Sequence, residues 1–500
     1  MAGQQVHETS YERLGAKKLT LVDVVAQSVG FMGPVFSAAF LIPLIVGVIS
    51  ASGKGAGLAA PLSVLIAAVG VFALGWIVAQ YAKRIHAAGS LYDYVSNGLG
   101  SNVGAAAGWL YYSGTMVLDA GLAVLVGGYV HDTIFTSDPA FPGVLSASSP
   151  LPVWAWSVVF GLLIFVVLYF GVQISTRVQL TLSLVSAAVV LVFLLYVIGK
   201  LGGDNDIGKA FSPGSSDLGW SGIFFGVLYG VLIFVGFETA ANLAEETAEP
   251  KRSIPRAILM SVVVVTVFYL IAAYAQVAGF GFNLETIGAT AGAPLFALGS
   301  PEAAGGFGSD AILKLLEVVV FLDIIAVGVG AAVASTRGVF AMARDRRLPA
   351  SLASVSSRYG TPAGAIVLQG ALILLFIGLN EISDDLFALP GFPHYFSIFA
   401  WASTFGGFSL VVVYLMMSVG AIRGLADDPN KVGLALSVIA GIAITGGAIY
   451  GAFYKVVSPT LLAPWLAVVW FVIGIVVTLL VKGREPASRA LADLHAEGDV

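Results

Sequence analysis

The chain has 500 residues, of which 58% are hydrophobic and only 11% charged; its formal net charge is −5 and it contains no cysteine. A soluble domain carries about 25% charged residues, so this composition is that of a polytopic membrane protein and excludes a soluble enzyme or a nucleic-acid-binding module. The missing cysteines exclude disulfides and thiolate metal sites, and neither a metal nor a cofactor is expected.

Residues 1–20 are polar and include Glu8 and Glu12, which is not the pattern of a cleavable signal peptide. Twelve stretches long enough to span a bilayer follow, at about 20 apolar residues per crossing. They lie near 21–48, 58–81, 102–130, 152–173, 177–199, 220–243, 257–280, 311–342, 362–379, 395–420, 432–454 and 460–481. The softest boundary is the division of 152–199 at Gln173–Arg177, and residues 483–500 form a polar tail. With the N-terminus in the cytoplasm, this layout puts 19 of the 24 Lys and Arg on the inner side and leaves five outside, Lys54, Lys200, Lys209, Lys314 and Lys455. Such a bias is the mark of the right topology, so both termini are expected in the cytoplasm and the protein in the cell membrane.

The first span reads LVDVVAQSVGFMGPVFSAAFLIPLIVG, with Gly30, Gly33 and Pro34 about a third of the way along. The sixth reads GIFFGVLYGVLIFVGFETAANLA and is interrupted around Gly230 and Gly236. Paired Gly/Pro interruptions at corresponding places point to the binding site of a secondary transporter, because half-helices aim free N–H groups at an anion and free carbonyls at a cation. The plainer reading of Gly33-Pro34 is a kink, and the pairs Gly104–Gly108 and Gly226–Gly230 read as close helix packing. Four acids lie away from the span ends: Asp119, Glu238, Glu317 and Asp323. No Lys or Arg sits centrally to pair with them, so each must protonate, bind a cation or meet water. A neutral, hydrogen-bonded structural acid is the alternative at Asp119, Asp323 and Glu317.

Residues 234–258, FVGFETAANLAEETAEPKRSIPRAI, resemble the sixth-helix motif of the amino acid–polyamine–organocation transporter superfamily. YAKRIHAAGSLYDYV (81–95) is similar to the loop after that family's second helix, with His86 where proline is common. ASTRGVFAMARDRRLP (334–349) resembles the end of its eighth helix and SVGFMGPVF (28–36) its first-helix break. The resemblance implies an all-α integral membrane fold of twelve transmembrane helices. Two inverted five-helix repeats, 21–199 and 220–420, would carry broken helices 1 and 6, with helices 11 and 12 (431–482) outside the core. It also implies transport of amino acids, polyamines or related amines by alternating access of the helix 1–2–6–7 bundle.

Carried over by position, the break at Phe31, Met32, Gly33, Pro34 and Val35 would meet a substrate α-carboxylate through backbone N–H groups. Carbonyls near Gly30 and Phe31, with those of Leu232 and Val235, would receive the α-amine, and Phe237 and Glu238 would sit beside the site. Glu238 is expected to act as a protonation-sensitive gate. Asp119 and Asp323 lie on the third and eighth helices, which flank the site in this architecture, and each could hold a substrate amine or carry a transported proton. Phe31, Phe234, Phe237, Tyr111 and Trp401 are candidates to close over a bound side chain.

Two departures matter. The family's arginine–agmatine exchangers carry a gating tryptophan at the position of Leu232, which argues against that exchange. Its proton-coupled members carry a lysine in the fifth helix, where alignment places Ser186. Sodium coupling would instead use hydroxyls such as Ser335 and Thr336, whose bland alternative is a hydrogen bond one turn back. The arginines Arg344, Arg346 and Arg347 read as a positive-inside anchor touching anionic lipid.

Uptake of an amino acid with a proton or sodium ion is therefore the leading expectation. A polyamine or organic-cation transporter, or an obligate amino acid exchanger, is the alternative. A membrane-embedded enzyme would need a histidine or serine constellation at depth, and His7, His86, His131, His394 and His495 all lie away from mid-span.

Overall fold

The protein is described from a computed structural model, which covers residues 19–47, 55–136, 143–170, 172–290, 293–382, 385, 387–389, 392–454, 456 and 458–481, without the side chains of 172–178. The N-terminal segment to residue 18, the tail from residue 482, Lys54, Lys455 and the side chain of Arg177 lie outside what is described. Among those residues the fold is helical, with three isolated β-bridges and no strand.

The principal helices in chain order are α1 (Leu21–Met32), α2 (Ala60–Ala82), the short α3 (Leu91–Leu99), α4 (Ser101–Tyr129), α5 (Val153–Phe170), α6 (Val172–Leu201) and α7 (Trp220–Leu232). They continue with α8 (Pro250–Ala278), α9 (Asp310–Arg344), α10 (Ala363–Ile382), α11 (His394–Gly424), α12 (Lys431–Phe453) and α13 (Leu462–Leu480). Local chemistry sets several starts. Thr20 and Asp23 form a capping box at α1, with the Thr20 N–H donating to Asp23 at 2.8 Å. Ser309 caps α9 and Asn430 caps α12, each accepting a backbone N–H of the first turn. Pro250 opens α8, where its missing N–H costs nothing.

Ten helical segments among the described residues are long and apolar enough to cross a membrane, so the protein is a multi-pass membrane protein. Two of the twelve expected spans are not in that set. The sixth is regular helix only over the 13 residues Trp220–Leu232. The eighth is the 35-residue α9, which carries Lys314, Glu317, Asp323, Arg337 and Arg344 along its length. The soft boundary in 152–199 falls where α5 ends at Phe170 and α6 begins at Val172, a few residues before the expected place.

Burial separates core from periphery. The apolar window of the first span (Leu21–Val46) is 94% buried and that of Ser101–Ile134 is 89% buried, against 22% for α5 and 28% for α13. α5, α10, α12 and α13 therefore present apolar side chains such as Leu162, Leu374, Leu436 and Leu480 outward, as lipid requires. The first span and α4 are wrapped by protein on nearly every side. Helices in lipid gain nothing from hiding apolar surface, so close packing must hold them. The expected packing glycines do this: a Cβ on Gly226 or Gly230 would come within about 3 Å of Ser63 or Ala67 on α2.

One such contact is restrictive enough to test. A Cβ at Gly338 of α9 would lie 1.8 Å from the buried ring of Tyr112, whose hydroxyl donates to the Gly89 carbonyl at 2.6 Å. Gly338→Ala is expected to lower the detergent-solubilised melting temperature, with overpacking costing about 1–3 kcal/mol. Gly199→Ala, where nothing lies within 4 Å of the added carbon, should leave it unchanged.

Candidate functional site

The first span stops and restarts at Gly33, which adopts φ 53° and ψ 73°. The left-handed geometry ends α1, and Pro34 follows as the first residue of the helical run to Val46. A side chain at residue 33 would also strike Val327, its Cβ falling 2.1 Å from a methyl of that residue. The sixth span breaks at Gly236, with φ 117°. Here a Cβ would lie 2.9 Å from the Met32 nitrogen and 3.0 Å from the Phe31 side chain, so the two breaks are packed against each other.

The polar groups freed by the breaks are satisfied by specific side chains. The Tyr269 hydroxyl of α8 lies 2.9 Å from the Met32 carbonyl and 2.6 Å from the Ile233 carbonyl, joining both breaks at one oxygen. Ser28 donates to the Phe237 carbonyl at 2.9 Å and accepts from the Ala240 N–H at 3.3 Å. At the restart of the first span the Gly33 N–H bonds back to Val29, and Pro34 has none to give. The donors set free are those of Val35 and Phe36. Both meet Asp323 Oδ2 at 2.8 Å, while Asp323 Oδ1 accepts the Ser183 hydroxyl of α6 at 3.0 Å.

This corrects part of the expected carboxylate seat. Phe31 and Met32 are the last residues of α1, so the freed donors belong to Val35 and Phe36, and an internal carboxylate occupies them. Asp323 is thus brought to the break. Asp119 is not: it accepts the Gln369 amide of α10 at 2.8 Å, and its neighbour Leu118 supplies the cavity wall instead. The fifth span meets the break through Gln179 and Ser183 rather than Ser186. A Cβ on Gly30 would lie 3.0 Å from Gln179, whose amide donates to the Ala326 carbonyl at 2.9 Å. Ser186 is buried, with no hydrogen-bond partner for its hydroxyl among the described residues. Thr336 donates one turn back to the Ala332 carbonyl at 2.6 Å and Ser335 does so at 3.3 Å, the bland alternative for both.

Beside the breaks lies a small cavity of about 20 Å³, room for about one water. Phe31, Met32 and Phe36 of the first span line it, with Leu232 and Val235 of the sixth and Val327 of α9. Leu41, Leu118 and Phe399 complete the apolar wall, and Ser403 is its one hydroxyl. Of the expected aromatics, Phe31 alone lines this space. Phe234 packs edge-on against Tyr269, and Trp401 stacks on Phe387 at 4.2 Å.

Glu238 is fully buried and held on several sides. It accepts the Tyr111 hydroxyl of α4 at 2.6 Å and the Gly236 N–H at 3.2 Å, and the Tyr414 hydroxyl of α11 lies close to the same carboxyl. Phe237 packs its ring 5.5 Å from that of Tyr414. The sixth-span carboxylate is therefore fastened to α4, outside its own span, and lies against α11.

The arginine-rich end holds residues whose role the sequence concealed. Arg337 donates to Glu246 at 2.7 Å, and both side chains are under 10% exposed. Arg344 grips Glu245 with two nitrogens, at 2.8 and 3.1 Å, and Glu245 also accepts the Ala88 N–H at 3.0 Å. Asn242 donates to the Ala88 carbonyl at 3.0 Å. Arg347 reaches Ser101 and Asn102. Arg344 and Arg347 are thus bonded within the protein rather than spread on lipid, and the acidic step after the sixth span is the partner of Arg337 and Arg344. The signal available in the sequence was the pairing of two acids with two arginines at matching span ends.

The sequence profile of the Amino acid permease family matches residues 29–484. The chain is 27% identical to the vacuolar cationic amino acid transporter 4 of Arabidopsis thaliana over 74% of its own length and 60% of that protein's. It is 25% identical to the branched-chain amino acid permease BcaP of Bacillus subtilis, over 68% of this chain and 72% of the permease. A methylthioribose transporter of Bacillus subtilis is 24% identical over the same shares.

Removing one partner of a buried ion pair strands the other and costs about 3–5 kcal/mol, so the loss of Arg337 is expected to loosen the contact between α9 and the segment after the sixth span. With no native cysteine, S403C places a single thiol in the cavity wall. Arg337→Ala in that background is expected to speed reaction with an impermeant maleimide applied to the arginine-rich side of oriented vesicles. An unchanged rate would mean the pair does not control access.

Proposed function

The chain belongs to the amino acid permease family, and on that footing we propose that it is a secondary active transporter importing an apolar amino acid across the cell membrane. The observation that carries this reading is the cavity between the two breaks, walled by Phe31, Met32, Phe36, Leu232, Val235, Val327 and Phe399. The space must widen to admit a molecule, and such a wall then suits a branched or aromatic side chain and offers no charge to a cationic one. The branched-chain name of the Bacillus relative supports the same choice. Ser403 is the hydroxyl placed to accept or donate at the edge of the bound molecule.

In this reading the α-amine is received by carbonyls at the ends of α1 and α7, around Gly30, Phe31, Leu232 and Val235, and the α-carboxylate by the freed N–H groups of the first-span restart. Two inverted five-span repeats, 21–199 and 220–420, with spans eleven and twelve (431–482) outside them, make up a twelve-span protein with both termini in the cytoplasm. The bundle of spans one, two, six and seven rocks against the rest. Glu238 gates the passage because its grip on Tyr111 must be released for the sixth span to move. Transport is driven by a proton gradient; sodium is the less favoured ion, since the hydroxyls of Ser335 and Thr336 are already bonded to their own helix.

Proteoliposomes with empty lumens and an inward pH gradient are expected to accumulate labelled leucine, isoleucine or valine, and an uncoupler should abolish it. Glu238→Gln should cut uptake at least tenfold, and Leu232→Trp, which fills the cavity, should raise the half-saturating concentration. Uptake seen only after preloading with amino acid would make the protein an exchanger. Accumulation of a diamine and of none of these amino acids would replace the substrate assignment.

A further inference from the structure

We infer that Asp323 is the proton-binding carboxyl of the transport cycle, and that it couples proton to substrate by competing for the same two N–H donors. Its geometry is that of a bound ligand. One oxygen takes the N–H groups of Val35 and Phe36, both at 2.8 Å, and the other takes the Ser183 hydroxyl at 3.0 Å. Three donors and the positive end of the restarted helix stabilise a full negative charge there, although the residue is 0% exposed. Val327, one turn further along α9, lines the cavity, and a Cβ built on Gly33 would reach both, 2.1 Å from Val327 and 3.5 Å from Asp323. The clasp is therefore at the wall of the substrate space.

Among the described residues no cation pairs with this carboxylate. α9 brings its own backbone, the first span brings Val35 and Phe36, and α6 brings the neutral Ser183. α8 brings the neutral phenol of Tyr269, which is bonded to the Met32 and Ile233 carbonyls. A substrate carboxylate placed on Val35 and Phe36 would therefore meet a second carboxylate at contact distance, with nothing to screen the repulsion. Two like charges cannot share such a seat, so one must take up a proton. Asp323 is the one that stays behind. Protonated at Oδ, it loses the charge that held the two N–H groups and yields them to the substrate. When the substrate leaves on the other side, the proton leaves and the carboxylate re-clasps the break. One proton accompanies each amino acid, and a lysine in the fifth span is not needed.

The amino acid part rests on the function proposed above; the proton part does not, and the experiment separates them. Infrared difference spectra of the purified protein between acidic and neutral pH should contain a protonated-carboxyl band that Asp323→Asn removes and Asp119→Asn leaves. Loss of no such band in Asp323→Asn would overturn the assignment, whatever the protein transports. In leucine uptake, Asp323→Asn should exchange leucine but no longer accumulate it against a pH gradient, with a flat pH profile. Ser183→Ala, which removes one donor to the charged form, should shift the wild-type profile to higher pH and keep accumulation. An Asp323→Asn protein that accumulates leucine with the wild-type pH profile would also overturn the inference. Failure of the wild type to take up leucine would sink the substrate assignment alone.

Discussion

Two helices that stop inside the bilayer leave N–H and C=O groups that hydrocarbon cannot satisfy, each unsatisfied group costing several kcal/mol. That cost governs the centre of this molecule. The backbone breaks because Gly33 and Gly236 take positive φ and because Pro34 has no donor. Every side chain that answers the breaks is then constrained in place: Tyr269 to the carbonyls of Met32 and Ile233, Ser28 to that of Phe237, Asp323 to the donors of Val35 and Phe36. The near-total burial of the first span follows, since only protein, not lipid, can supply such partners.

Much of this was legible in the residues. The breaks announce themselves as Gly and Pro inside apolar runs, and the four internal acids stand out because no base accompanies them. What the sequence withheld was depth and partner. Gln179, Ser183 and Ser186 follow one another at helical spacing, so a pattern argument finds the right face of the fifth span. It does not say which turn meets the break, and the structure places Gln179 and Ser183 there. Asp119 is similar. Its position at mid-helix was clear, but α10 supplies Gln369 to it, a contact between residues 250 apart that no local pattern encodes.

The arginines show the same limit from another side. A cationic cluster at span ends satisfies the orientation rule whether or not it touches lipid. Arg337 and Arg344 do more, because they are buried against Glu246 and Glu245. Buried ion pairs contribute little net stability over apolar packing, whereas breaking them is costly. That asymmetry suits a closure that must be definite while it lasts and still exchangeable for another arrangement.

If spans one, two, six and seven move as the proposed body, carboxylate links gather at its boundary, beside neutral ones such as the Gln27 amide to the Gly330 carbonyl. Within that body the links are neutral: Tyr269 to Met32 and Ile233, Ser28 to Phe237, Gln276 to the Ala38 carbonyl. Across its boundary run four carboxylate links: Asp323 to Val35 and Phe36, Glu238 to Tyr111, Glu246 to Arg337 and Glu245 to Arg344. A neutral hydrogen bond keeps its strength over the physiological pH range. A carboxylate link weakens when its proton returns, because the charge that shortened and strengthened it is gone. A proton entering this protein would then loosen the joint between the two bodies and leave each body intact. That division of labour lets a small ion's gradient drive a rigid-body motion without unfolding the broken helices at its centre.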